Sequence, residues 1–369
     1  MRKSIYLTFS LLLLNAISIY AQKEVVCQQV GNFREGLAPF MLDNKIGFIN
    51  IKGDIAIEPK YAYFIEEYGE LPYFSNDYTV VLDPETERCG YIDGRGELQI
   101  PYQYVYAFGF SEEAAFVRIG DEISIIDSKA RVLAKNILAL NAYHSKFREG
   151  RAACSREFSY GYVDKTGKFV IEPVYDEVRD FSDGLAAVKK EGKWGFIDKD
   201  GKTVVPFQFS NEPKSFSDNR AFVLGTNNTW GIIDKEGKLL IEPKYKQVFP
   251  FSSGYAVVSI MDNKFKETFY IIDVNGKAVK EYAKGKSDKE TITLWSGFSE
   301  GLAIGMKEYK KGMIDPQGKV VVNFLYRDLK PLSSGMAYFE KYDEKTKKVS
   351  TGFINKKGEE VILIKAPQF

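Results

Sequence analysis

The chain has 369 residues, 44% of them hydrophobic and 27% charged, with 51 basic against 50 acidic side chains. This is the composition of a folded globular chain, long enough for two or three domains or one repeat array, and it excludes a disordered one. The near-zero net charge, with no run of five like charges, provides no field or tail for nucleic acid, so no nucleic-acid partner is expected.

Residues 1–21, MRKSIYLTFSLLLLNAISIYA, begin with Arg2 and Lys3, continue through an apolar stretch from Ile5 to Leu14, and end on the small residue Ala21. That is the layout of a secretory signal peptide, which predicts an exported mature chain starting near Gln22: periplasmic, at the cell surface or secreted. The apolar stretch is shorter than the roughly 20 residues a membrane span needs, and no other segment could span, so no membrane span is expected after cleavage. Residues 22–32 form an N-terminal lead. Of the three cysteines, Cys27 lies in this lead, while Cys89 and Cys154 occupy positions that hold apolar residues elsewhere in the chain, which reads as core packing.

From residue 33 to 369 the chain repeats itself about nine times. An opening phrase, FSDGLAAV at 181–188, recurs from Phe33, Phe74, Phe110, Phe147, Phe181, Phe216, Phe251, Phe298 and Leu332, and steps of this size mark a tandem array. The fourth residue of the opening is Gly36, Gly150, Gly184, Gly254, Gly301 or Gly335, with Asp77 and Asn219 in two other repeats; these types tolerate positive φ in a tight turn, and only Glu113 departs. A strand follows. The middle phrase, KWGFIDKDGK at 193–202, is a second strand with apolar residues on both faces, such as Phe196 and Ile197, so both faces must be covered.

That strand ends in an Asp-x-x-Gly turn, as at Asp198 and Gly201 or Asp234 and Gly237, where the carboxylate accepts backbone N–H bonds and Gly takes the left-handed position; Ala130 is the one exception to Gly. A third strand runs into Pro59, Pro101, Pro173, Pro206 or Pro243, which suits a strand end or an edge. Each unit is therefore expected to be a three-stranded antiparallel meander. Insertions at 81–88, 282–297 and 341–348 fall between the recurrent strands and belong on the rim.

The KWGFIDKDGK phrase, with its FSDGLAAV opening and IEPKY close, resembles the WG-repeat (KWG-repeat) proteins of bacteria over residues 33 to 365. The signature residues are Trp194, Gly195, Asp198 and Gly201 in one repeat and Trp230, Gly231, Asp234 and Gly237 in the next. The tryptophan survives only at those two places; its column otherwise holds Ile46, Cys89, Ile123, Tyr160, Phe269, Lys311 and Thr351, a range of sizes that indicates packing. The resemblance implies a β-rich array used for interactions and brings no catalytic residues with it. The expected fold is all-β, nine meanders stacked as an open, curved, solenoid-like array; the alternative is a β-propeller-like ring. Nine blades would be many for a propeller, and no strand in the sequence joins the two ends.

Chemistry is sparse. The single histidine, His144, falls in the spacer column of Val178, Val248, Trp295 and Leu329 and excludes any site needing two imidazoles. No G-x-S-x-G elbow accompanies it. The DKDG turn lacks the further ligands of a calcium loop. No catalytic, cofactor-binding or metal-binding residue is assigned, and no cofactor is expected. The expected function is an exported, non-catalytic scaffold for a protein or cell-envelope polymer. The alternative is a carbohydrate-binding module or glycan-active hydrolase with a site assembled across repeats.

Overall fold

A computed structural model describes residues 22–62, 70–137, 146–283 and 291–367. The signal-peptide segment, His144 and part of the 282–297 insertion lie outside the described residues. Among the described residues there is no helix, and the strands form nine small sheets in chain order, eight of them wholly antiparallel. Each sheet is one repeat, a blade numbered here from one to nine by its opening residue.

Blade five shows how the sequence folds locally. Leu185–Lys190 pairs with Lys193–Asp198 in register, Leu185 opposite Asp198 and Lys190 opposite Lys193. The two turn residues, Glu191 and Gly192, have φ of 50° and 75°, the twist that keeps the hairpin strands together. At the other end the Asp198 Oδ1 accepts from the N–H groups of Asp200 (3.0 Å) and Lys202 (2.9 Å), and Gly201 stands at φ 81°. Glu113 and Ala130, the two residues that depart from the turn pattern, also hold positive φ, 66° and 59°. The turn geometry is imposed by the fold even where the favoured residue is missing.

The glycine of the WG pair has a different reason. A Cβ on Gly195 would lie 2.7 Å from the Val205 carbonyl oxygen, because the third strand, Thr203–Phe209, presses its backbone against the middle one. The register jumps there, from Trp194 opposite Phe209 to Phe196 opposite Val205. The surplus residues form a bulge on the outermost strand, and Pro206 sits inside it. The prolines thus mark a bulged edge, where a missing N–H costs nothing and pairing with another chain is discouraged. Three of the blades have no such jump at this point. In blade three Ser124 replaces the glycine and the strand pairing ends at Ile125 opposite Ala134; in blade seven Tyr270 replaces it and pairs in step from Phe269 to Ile271; in blade nine Gly352 remains, but the pairing runs in step from Thr351 to Phe353.

The two faces of each middle strand are buried against different neighbours. Ile197 packs with Ala153, Tyr162 and Ile171 of blade four, and Phe196 packs with Phe216, Ala221 and Ile233 of blade six. The core is therefore a series of layers between blades, and each fully buried Phe or Ile contributes roughly 1.5–3 kcal/mol. Six of the nine sheets carry an extra two-residue strand ahead of the opening, such as Glu177–Val178, so the meander is four-stranded there. In blade eight that position belongs to buried Leu294, not Trp295, which is 53% exposed; one added residue shifts the column. The 81–88 and 341–348 insertions lie at hairpin tips, on the rim.

The open array is overturned. Lys23–Val26 adds to blade nine as a parallel outer strand on Glu360–Lys365, with Val25 opposite Ile364, and the Cys27 N–H donates to the Lys365 carbonyl at 3.0 Å. Val25, Cys27, Phe33 and Phe40 then share one buried cluster with Met336, Phe353 and Ile362. The contact that links consecutive blades recurs across this joint. Ser182 Oγ donates to the carbonyl of Phe216 (2.7 Å) in the next blade, and Ser333 Oγ donates to the carbonyl of Phe33 (2.5 Å). The molecule is a closed nine-bladed β-propeller. Blade nine keeps only the small shift between Phe353 and Ile354 and lacks the wide bulge beyond it, so its last strand runs straight from Ile362 to Lys365, where the further strand attaches.

Candidate functional site at the ring seam

The interface between blades five and six is filled. Trp194 is buried in it, with the Arg179 guanidinium 4.8 Å and the Lys189 ammonium 5.9 Å from its ring centroid. Arg179 is held by a fork to Glu212, 2.7 Å from Nε and 2.6 Å from Nη2, and these hydrogen bonds hold its pKa above the usual value despite partial burial. Between blades eight and nine the same column carries Lys311, whose Nζ lies 2.5 Å from Asp328 Oδ1 and 5.7 Å from the Trp295 ring. Burial raises the Asp328 carboxyl, but its bonds to Lys311 and Lys330 outweigh that and leave it below the ordinary range.

The seam between blades nine and one differs. Thr351 stands in the tryptophan column and is too small to fill the layer; Tyr338, where blade five has Ala187, recovers part of the volume. A cavity of about 680 Å³ remains. Its wall is supplied partly by the lead, including Cys27, Val30 and Gly31, and partly by Pro39 and Ile364. The polar groups that face it include Arg34, Glu70, Tyr73, Lys330, Tyr338 and Thr351, beside the amides of Gln28, Gln29 and Asn32. The Arg34 guanidinium is stacked 3.7 Å from the Tyr73 ring centroid, which fixes its plane, and Lys330 is tied to Asp328 Oδ2 at 3.0 Å.

The one thiol in the lining is not activated. Burial pushes the Cys27 thiol up to about 11, so at neutral pH it is the protonated, unreactive form, and burial raises the Tyr338 phenol as well, against a lowering hydrogen bond from Thr351. Two fixed cations, one carboxylate and two phenols around an apolar floor suit a ligand with an anionic or hydrogen-bonding end and an apolar body.

The signature residues lie elsewhere. Trp194 and Trp230 pack between blades, Gly195 and Gly231 admit the bulged strand, and Asp198, Gly201, Asp234 and Gly237 build hairpin turns. None of them lines the seam cavity, and the structure does not bring them together. Cys89 and Cys154 are buried in inter-blade layers. The cavity residues escaped the sequence reading because the lead was set apart from the array. Thr351 in the tryptophan column, paired with a bulky Tyr338 where alanine stands in blade five, was the available signal.

Comparison with known proteins matches the WG containing repeat at residues 24–45, 46–82, 90–122, 160–194, 194–228, 230–265 and 312–345. No curated protein matches. Among solved structures, the chain is similar to a eukaryotic initiation factor, with 11% identity over 90% of this chain and 94% of that one and a TM-score of 0.54; this likeness shows the fold alone. Weaker likenesses are to the dihydro-heme d1 dehydrogenase NirN in complex with DHE, 10% identical over 91% of this chain and 78% of that one with a TM-score of 0.40, and to PorZ. The latter is described as an essential bacterial surface component of the type-IX secretion system of Porphyromonas gingivalis, 11% identical over 92% of this chain and 66% of that one, with a TM-score of 0.25. The repeat matches span well over half of the chain and run through the blades just described: the protein belongs to the WG-containing repeat family.

Proposed function

We propose that the protein is an exported, non-catalytic scaffold whose ring captures a segment of a protein or of a cell-envelope polymer, with the seam cavity as its binding site. The single observation behind this reading is the open space at one interface: Thr351 is the small polar residue in a column that Trp194 and Trp230 fill in their layers, and the space left open is lined with cationic, phenolic and carboxylate groups. A repeat array conserves packing energy by filling each layer in the same way, so a layer left open at a loss of dispersion contacts marks a place where something else is meant to pack. Export rests on residues 1–21, whose basic start, apolar stretch and closing Ala21 have the order of a cleaved secretory signal.

The test is affinity capture from the native envelope fraction with the mature chain as bait, beside a Thr351→Trp variant that restores the bulky residue. Capture by the parent and its loss in a variant that folds equally well supports the cavity as the site. Equal capture by both places the site elsewhere on the ring. Turnover of glycan, ester or peptide substrates by the parent would replace the scaffold reading with the enzymatic one.

A further inference from the structure

The opening phrase departs from its pattern at the same seam. Its second residue is serine in seven of the nine repeats. In blades two, five, six, eight and nine the hydroxyl of that serine donates to a backbone carbonyl of the next blade, as Ser75 does to Phe110 at 2.7 Å. Blade one carries Arg34 there, and its joint to blade two forgoes this hydrogen bond. The exchange gives up a closing contact of the ring for a long cationic side chain that stays exposed in the cavity wall, so burial does not repay it.

The charges around the cavity single out the same residue. Arg34, Glu70 and Lys330 stand in its wall, with Asp328 behind Lys330, and together they sum to zero. Lys330 is already neutralised, its Nζ 3.0 Å from Asp328 Oδ2. Among the described residues no carboxylate pairs with the Arg34 guanidinium. Its plane lies on the Tyr73 ring, 3.7 Å from the centroid, and this stacking leaves the N–H edge of the fork clear. One unpaired fork in a wall of zero net charge matches a group with a single negative charge and two coplanar oxygens, which is a carboxylate; a doubly charged phosphate needs a second free cation. Beside it the amides of Gln28, Gln29 and Asn32 can both donate to and accept from peptide groups, and Val30, Leu71 and Ile364 are apolar.

We propose that the seam cavity takes the free carboxyl end of an extended peptide. The terminal carboxylate lies on the Arg34 fork, the peptide groups on the amides and on Glu70, and the last side chain against the apolar wall. This rests on the reading of the seam cavity as the binding site; it adds the chemical group recognised and the residue that recognises it.

The experiment probes the mature chain, residues 22–369, with random short peptides immobilised through their N-termini, one set ending in free carboxylates and the other in amides. The parent is expected to bind members of the first set and to lose about tenfold or more in affinity for the same sequences once amidated. Arg34→Gln should lose as much on the free-carboxyl peptides and become indifferent to amidation. Arg148→Gln, at the other arginine of this column, which lines no part of the cavity, should bind as the parent does. Thr351→Trp, which fills the cavity, should bind neither set. Loss in Thr351→Trp while the parent binds free and amidated peptides equally keeps the cavity as the site and overturns the carboxylate assignment. Parental binding by a folded Thr351→Trp overturns the cavity reading and the assignment with it. A parent that binds neither set, or whose peptides are displaced by less inorganic phosphate than acetate, overturns the assignment as well. Should Arg34→Gln misfold, Arg34→Lys keeps the charge and loses the fork: weakened binding supports the proposal and parental affinity contradicts it.

Discussion

Blades five and nine are built from the same phrase and end differently. In blade five Gly195 lets the outer strand bulge, Pro206 occupies the bulge, and the edge stays unpaired. In blade nine the outer strand reads EVILIK, has neither proline nor jump at this point, and takes Lys23–Val26 as a partner. The comparison teaches that the bulge keeps an edge closed to another strand, and that the protein relaxes it at the end where closure is needed. The layer beyond each blade follows suit, filled by Trp194 after blade five and left as a cavity after blade nine.

The largest expected effect breaks the ring outright. Deleting the repeat 181–215 leaves eight blades that must close at a different curvature, and the product is expected not to fold; a stable, shorter protein by circular dichroism and chemical denaturation would favour the open array after all. Deleting 22–27 removes Val25, Cys27 and the added ladder from blade nine. Two buried side chains and the hydrogen bonds of a four-residue ladder together put the loss at roughly 5 kcal/mol or more, read as a lowered denaturation midpoint. A midpoint that does not move would show that the seam carries no stability.

Next come the glycines that admit the outer strand. Gly195→Ala places a Cβ 2.7 Å from a backbone carbonyl and is expected to cost about 2–4 kcal/mol. Gly352→Ala should cost at least as much, since the Ile362 carbonyl lies closer still to the added Cβ and the wide bulge of blade five is missing there. If Gly195→Ala were neutral, the close approach would not be what selects glycine. Gly201→Val meets both the φ of 81° and the Ile171 side chain of blade four at 3.3 Å, and about 1–3 kcal/mol is expected.

The smallest effect is a pH dependence. Burial raises the Cys27 and Cys154 thiols from 9.0 to about 11 and about 12, so the folded state holds protons the unfolded state releases. Their contribution is complete below pH 9 and is lost as the pH rises through 9 towards those values. The parent midpoint should therefore fall more steeply above pH 9 than that of the Cys27→Val, Cys154→Val variant. Parallel curves would mean that the thiols are already accessible in the fold.

What the sequence disclosed was local. Asx and glycine columns, the doubly apolar middle strand and the number of repeats are set by neighbours a few residues apart, and they survive in the structure almost unchanged. Ring closure depends on Lys23–Val26 meeting residues some 340 positions away, and a four-residue strand with one buried side chain, Val25, has no periodicity to announce it. Two clues were nonetheless present: the last repeat is one of four without the proline of IEPKY, and Thr351 puts a small polar residue in a column that is mostly large or apolar. The first says that this edge is not protected against pairing, and the second says that this layer is not filled like the others.

Hydrogen exchange of the backbone amides tests closure most directly. A closed ring predicts that the Cys27 amide and its neighbours in Lys23–Val26 exchange as slowly as those of Glu360–Lys365, and open only with the blade they complete. Exchange at the rate of free chain, while the other eight blades stay protected, would contradict it and return the protein to an open array.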